Sequence, residues 1–412
     1  MLAVALSVAL ALTSAACSDS GTSASPAPTT STAGISSSVP TGPAPIEVTS
    51  DDELYAVPSP IPDLEHGRLI RYQRVAEGYA GGGPTYRVMY SSRSLSDQPV
   101  VVTGTVHLPA GPAPEGGWPT VTWGHGTTGT ADSCAVSKGL RYASAAEPMI
   151  EQGYVIASTD YEGLGSPGLH PYLVGPSEGR GMLDIVRAAM ELPDVSLDGR
   201  IAAWGHSQGG HAAAFAHGLA ATWTPELHLV GTVAIAPPAQ MRAIIPAVAS
   251  APNKAFAVMN IAGMAAAHPD LDLNVLMTPE AIAKLGVLET GCGPAVDAAF
   301  VDVNPLLQPG AADSPALQKY LDASEPGTLR AEAPVLIVAG DADTTVPPVL
   351  NVTLKRNWCA IGQNTTRWLV PGATHSTVLG ATPHMIAWTV ARFAGTTATN
   401  GCDQPDGPPP VA

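Results

Sequence analysis

Ser207 lies in the stretch WGHSQGG, residues 204–210, with a glycine two positions away on each side. A serine hydroxyl is a weak nucleophile until a base takes its proton and a carboxylate orients the base. Both partners are on offer downstream. The run PVLIVAGDADTTVPP (334–348) brings Asp341 and Asp343 to the end of an apolar segment, and RWLVPGATHSTVL (367–379) brings His375 to the end of another. Asp343 is the expected acid because it lies deeper in its loop, whereas Asp341, directly after Gly340, suits a turn or cap. His375 is the expected base. His384 falls inside the following helical stretch, and His206, His211 and His217 lie too close to Ser207 in sequence to serve, although His206 is placed to line the site. A tetrahedral intermediate also needs two N–H donors. One is expected from the backbone of Gln208, the residue after the nucleophile. The other is expected from Thr127 in WGHGTTG (123–129), with Thr128 next in line.

These residues need elements to hold them. RIAAW runs straight into Gly205-His206-Ser207-Gln208-Gly209 and GGHAAAFAHGLAA (209–221) runs out as a helix, the strand–turn–helix context that a G-x-S-x-G nucleophile requires. Without that context the motif is a glycine-rich turn with an incidental serine. TVTWGHG (120–126), YVIASTDY (154–161), RIAAWGHS (200–207), LVGTVAIAP (229–237) and PVLIVAGD (334–341) are continuous apolar runs, as strands covered on both faces are. Helical stretches alternate with them, including EGRGMLDIVRAAMELP (178–193), where Met182, Ile185, Val186, Ala189 and Met190 share a stripe. The fold class is therefore α/β, a mostly parallel sheet flanked by helices. RLIRYQRV (68–75), TYRVMYSSR (85–93) and VVVTGTVHLP (100–109) read as an antiparallel entry to it. Nearly a hundred residues separate the strand ending near Pro237 from the one at Pro334, so residues 238–330 are expected to form an inserted helical cap. The core takes residues 46–237 and 331–402, followed by a tail, 403–412.

The N-terminus, MLAVALSVALALTSAAC, is too short for a spanning helix and reads as a signal peptide over residues 1–17. Cys17 closes it as a lipid-attachment cysteine would; Ser14 stands where such signals usually carry Leu, so plain cleavage nearby is the alternative. A Ser/Thr/Pro/Ala-rich tether follows, residues 18–45. Export makes Cys134, Cys292, Cys359 and Cys402 candidates for two disulfides. Three pairings are possible; Cys134 with Cys292 and Cys359 with Cys402 is favoured, the second pair tying down the tail.

A formal net charge of −16 repels phosphate backbones and anionic headgroups, so a nucleic-acid partner is not expected. No CxxC or paired-histidine spacing suggests a metal. Asp160, Glu162 and His170 in DYEGLGSPGLHPY (160–172) read as hydrogen bonding that holds a loop rather than as ligands. In the cap, NIAGMAAAHPDLDLNVLM (260–277) offers either an acyl-binding wall or packing surface.

WGHGTTG, STDYEGLG (158–165) with HPY (170–172), GHSQGG, GDADTTVPP and GATHS, in this order, resemble the secretory lipase family of fungi and actinobacteria, the lipase A type of α/β-hydrolase, over about residues 60–400. The resemblance is to an actinobacterial member. It implies a triad of Ser207, Asp343 and His375, a helical cap, two disulfides, and hydrolysis of carboxylic esters, acylglycerols included, with no metal or cofactor. The expected enzyme is a monomer, released or held on the outer face of the membrane through Cys17. Two other readings keep the same sequence: an amide-cleaving serine peptidase, and a non-catalytic surface module, against which the complete triad argues.

Overall fold

The computed structural model describes residues 42–75, 78–79, 82–139 and 145–409. The signal peptide, Cys17 and the tether to residue 41 lie outside them. Ten strands form one sheet: β1 (Ile46–Glu47), β2 (Leu69–Val75), β3 (Gly82–Arg93), β4 (Pro99–Pro109), β5 (Trp118–Gly124), β6 (Val155–Thr159), β7 (Leu197–His206), β8 (His228–Ile235), β9 (Val335–Gly340) and β10 (Thr365–Val370). Their order is β1-β2-β3-β4-β6-β5-β7-β8-β9-β10. The β2-β3-β4 ribbon is antiparallel and meets β6 antiparallel; from β6 to β10 every pairing is parallel. Parallel strands deliver their carboxyl ends to one edge, so the loops after β5, β7, β9 and β10 converge there.

The helices are α1 (Asp51–Leu54), α2 (Gly175–Met190), α3 (Gln208–Trp223), α4 (Met241–Ala249), α5 (Ala255–Ala267), α6 (Leu273–Leu276), α7 (Pro279–Ala283), α8 (Gly293–Phe300), α9 (Pro315–Ala323), α10 (Pro348–Ala360) and α11 (Thr382–Phe393). The central strands are apolar throughout because alternate residues feed two cores. Ile201 and Ala203 pack with α2 and α3, while Ala202 and Trp204 pack on the opposite face with α11. Likewise Val335 and Ile337 meet Leu354 and Trp358 of α10, and Leu336 and Val338 join the α11 side.

α2 starts three residues before the stretch read from the sequence. Gly175 is pinned against α3, where an added Cβ would stand 2.1 Å from the Phe215 ring. α2 ends at Met190 and the chain turns before Pro193, whose ring disfavours helix at the preceding residue. Its buried surface is wider than the five-residue stripe, since Leu183 and Ala188 are also enclosed. In TPEAIAKLGVLE (278–289), Thr278 caps the short α7 and the chain continues as a 3-10 turn over Leu285–Glu289. Beyond residue 402 the chain still pairs with the sheet: Leu369 N–H donates to the Gly407 carbonyl at 2.8 Å, and Asp406 pairs with Arg367 and Lys355.

Residues 238–330 carry α4 to α9 and share a hydrophobic core of their own. Tyr172, Leu173 and Val174, from the loop that precedes α2, insert into that core. Two disulfides are formed, Cys134–Cys292 and Cys359–Cys402. The first joins the loop after β5 to the start of α8, and the second joins α10 to the C-terminal segment. Among the described residues no helix is long and apolar enough to cross a membrane.

Candidate active site

β7 ends at His206 and α3 begins at Gln208, leaving Ser207 alone in the turn at φ 57°, ψ −119°. A non-glycine residue held there costs on the order of 1–3 kcal/mol, which the surroundings must offset. They do so with backbone hydrogen bonds, Ser207 N–H to the Ile235 carbonyl at 2.8 Å and His211 N–H to the Ser207 carbonyl at 3.1 Å. The flanking glycines are required sterically. A Cβ at position 205 would stand 1.9 Å from the Gly209 oxygen, and one at 209 would stand 1.8 Å from the Gly124 oxygen.

Asp343, after β9, and His375, after β10, meet on the same edge. His375 Nδ1 lies 2.7 Å from Asp343 Oδ2. The other carboxylate oxygen accepts the N–H groups of Thr345 and Val346 at 2.8 and 2.9 Å. Burial pushes the Asp343 carboxyl up, but the hydrogen bond from His375 and those from the backbone outweigh it and hold it below the usual carboxylate value. An ionised Asp343 fixes the proton on Nδ1 and leaves Nε2 of His375 to act. Asp341 is exposed and accepts the Gly372 N–H at 2.6 Å, so it braces a turn. His375, Ser207 and Thr127 line one open cavity of about 310 Å³. Among the described residues the Ser207 hydroxyl has no hydrogen-bond partner within 3.5 Å.

His206 lines the same cavity. Its Nε2–H donates to the His375 carbonyl at 2.9 Å, and the two rings lie 4.7 Å apart. Burial, followed by the neighbouring His375, pulls its pKa down to about 4, so it stays neutral as a donor. Sequence reading placed His206 at the site wall but missed this contact. His211 and His217 are buried in hydrogen bonds elsewhere, and His384 is on α11, outside the cavity lining.

The loop after β5 passes close to the nucleophile: a Cβ on Gly126 would stand 3.8 Å from Ser207 Cβ. Thr127 Oγ1 lies 2.7 Å from Tyr172 Oη. Further along, Thr128 accepts the Gly293 N–H and Thr130 Oγ1 donates to the Leu288 carbonyl, both at 2.8 Å. With Cys134–Cys292 these contacts fasten the loop to the cap. Gln208 opens α3, so its N–H has no acceptor within the helix. Its side chain is anchored below: Nε2 donates to Glu178 Oε1 at 2.8 Å and to His170 Nε2 at 2.7 Å. Burial lowers the His170 pKa to about 4, which keeps that nitrogen an acceptor. Glu178 had no signal of its own in the sequence, and Tyr172 stood there only as the last residue of the HPY motif, with no role assigned.

The 160–172 motif makes hydrogen bonds that hold its loop. Asp160 accepts from Thr103 and Ser137, Ser177 Oγ donates to Glu162, and His170 Nδ1–H donates to the Glu162 carbonyl. The 260–277 stretch packs in the cap core, with Ile261 and Met264 fully buried. The apolar wall beside Ser207 comes instead from α4 and the start of α5. Ile244, Ile245, Val248 and Phe256, with Leu173 and Tyr172, enclose a second cavity of about 40 Å³ that also opens on Ser207.

A mostly parallel sheet of this order, with a strained serine turn after a central strand and Asp and His following on later loops, defines an α/β-hydrolase. The family model for secretory lipases matches residues 143–401. The chain belongs to the secretory lipase family. It is 27% identical over 240 residues to Lipase A of Moesziomyces aphidis, a match covering 54% of this chain and 50% of that protein, so the chain spans about half the length of that relative. It is 24% identical to the secreted triacylglycerol lipase LIP4 of Malassezia globosa, over 86% of this chain and 83% of that one. The solved structure of Candida antarctica lipase A in its closed state superposes with a TM-score of 0.74 at 23% identity, covering 87% of this chain and 89% of that chain.

Proposed function

We propose that this protein is an exported serine hydrolase that cleaves carboxylic esters through an acyl-enzyme on Ser207. The Ser207 oxygen attacks the ester carbonyl while Nε2 of His375 takes its proton, and Asp343 stabilises the imidazolium that results. The oxyanion is held by the N–H groups of Gln208 and Thr127. Collapse of the intermediate expels the alcohol, which takes the proton from His375. Water, deprotonated by the same nitrogen, then releases the acid and restores Ser207. The observation that carries this reading is the 2.7 Å Asp343–His375 contact, opening on the same cavity as a serine at positive φ. The serine–imidazole approach tightens when an ester occupies the site.

The two cavities that meet at Ser207 divide the ester between them. The apolar one, under a cap of residues 238–330, suits the acyl group, and the open one suits the alcohol. At about 40 Å³ the apolar cavity has room for about three water-sized groups, which favours short acyl chains. Relatives named as lipases support a lipid ester as one substrate class. The family is secretory, in keeping with the leader at residues 1–17, and Cys17 is the candidate attachment point for a lipid anchor. Mass spectrometry of the mature N-terminus tests the anchor: an unmodified peptide starting beyond Cys17 rules it out.

The activity is tested with p-nitrophenyl acetate, butyrate and palmitate, a triglyceride emulsion and an aminoacyl p-nitroanilide, on the wild type and Ser207→Ala. The expected result is ester turnover, highest with butyrate, abolished in Ser207→Ala, and labelling of Ser207 by a fluorophosphonate. Full turnover by Ser207→Ala overturns the mechanism, and anilide cleavage faster than ester cleavage makes the protein an amidase.

A further inference from the structure

We propose that the Thr127 side-chain hydroxyl is a third donor to the oxyanion, aimed at it by Tyr172. This rests on the acyl-enzyme reading above and adds a catalytic residue to it.

The proton count around Tyr172 carries the argument. Its ring is buried in the cap core. Among the described residues the hydrogen-bond partner of its Oη is Thr127 Oγ1, at 2.7 Å. A phenol has one proton, and a buried donor takes an acceptor where one is in reach. If Thr127 donated instead, the Tyr172 proton would have no acceptor among the described residues. Burial raises the Tyr172 pKa far above the working range, so the phenol keeps its proton. Tyr172 therefore donates and Thr127 Oγ1 accepts.

A threonine hydroxyl that accepts still has its own proton to give. Thr127 is partly exposed and lines the cavity shared by Ser207 and His375, in a loop whose Gly126 comes within 3.8 Å of Ser207 as measured from an added Cβ. With Oγ1 accepting from Tyr172, the Thr127 O–H is left available to a ligand in that cavity. Thr128 lines the same cavity, but its Oγ1 is buried with no hydrogen-bond partner among the described residues, so no donor orients it as Tyr172 orients Thr127. Tyr172 is itself held firmly, its carbonyl accepting from Asn260 Nδ2 at 3.1 Å and its N–H donating to the His170 carbonyl at 2.7 Å. Tyr172 is thus a positioning residue, and Thr127 would contact the substrate through both its N–H and its O–H.

The test compares Thr127→Val, Thr127→Ser, Tyr172→Phe and the double Thr127→Val/Tyr172→Phe on p-nitrophenyl butyrate. A trifluoromethyl ketone, whose hemiketal carries the oxyanion, serves as inhibitor. Valine keeps the shape and the N–H and removes only the hydroxyl, so kcat falls about 10- to 100-fold with KM within about two-fold, and inhibitor affinity falls in step. Serine restores the hydroxyl and stays within about three-fold of wild type, while Tyr172→Phe, which leaves the hydroxyl undirected, loses about 3- to 10-fold in kcat. The double variant removes the orphaned Tyr172 proton along with the hydroxyl, so it stays as slow as Thr127→Val even where its melting temperature matches wild type. A kcat within two-fold of wild type in Thr127→Val, or equal losses in Thr127→Val and Thr127→Ser, overturns the proposal. Ester activity surviving in Ser207→Ala would instead overturn the reading it rests on.

Discussion

At the scale of single residues, the two aspartates after β9 separate cleanly. Asp343 spends one oxygen on His375 and the other on two N–H groups, whereas Asp341 is exposed and braces the Gly372 turn. Asp343→Asn is expected to lower kcat by at least about 100-fold, because the wrong imidazole tautomer is then favoured, and Asp341→Ala to stay within about three-fold. Steady-state kinetics on one ester decides between them; similar mild losses in both would show that the acid lies elsewhere. The candidate triad was legible because each member follows a buried strand within a few residues, so local pattern and chain order suffice. The partners behind it were not. His206 reaches a carbonyl 169 positions away and Gln208 reaches Glu178 across 30, and no local pattern records contacts made by folding alone.

Among the elements, the turn between β7 and α3 is the least tolerant. Gly205→Ala would drive a methyl group to 1.9 Å from the Gly209 oxygen, where backbone must shift. The expected outcome is loss of soluble, fluorophosphonate-reactive protein, and a soluble, fully labelled variant would show that the turn yields more easily than its packing implies. The two disulfides should also differ in kind. Opening Cys134–Cys292 by a double serine substitution loosens the Thr127 loop and should cost about 3- to 10-fold in kcat as well as melting temperature. Opening Cys359–Cys402, which anchors the C-terminal segment and lines neither cavity at Ser207, should lower melting temperature alone. The strands were readable from continuous apolar runs. The choice between acyl wall and packing for residues 260–277 was not, since a buried helix and a pocket-lining helix have the same composition.

For the whole molecule, pH sensitivity follows from histidines that fold in the neutral state. Burial lowers His107 to about 3, and His170 and His217 to about 4, from an ordinary 6.5. The unfolded chain therefore takes up protons first, so the stability these groups contribute is complete above about pH 6.5 and declines as the pH falls towards 4. Each contributes a slope on the order of 1 kcal/mol per pH unit in that window. Melting temperature should be flat from pH 7 to 8 and drop steeply between pH 6.5 and 4, less steeply in His217→Gln; a flat profile through the acid range would contradict the buried neutral state.

The bond between Cys134 and Cys292 has a consequence for how this architecture can diversify. The loop proposed to support the oxyanion and the roof proposed to select the acyl group are joined by a covalent crosslink, so the heritable module is larger than residues 238–330. A chimera that transplants a relative's roof alone would inherit a new preference on a misaligned catalytic floor. Exchanging residues 124–134 together with the roof keeps the two in register, and recombination at those joints is where new substrate ranges should arise with turnover intact.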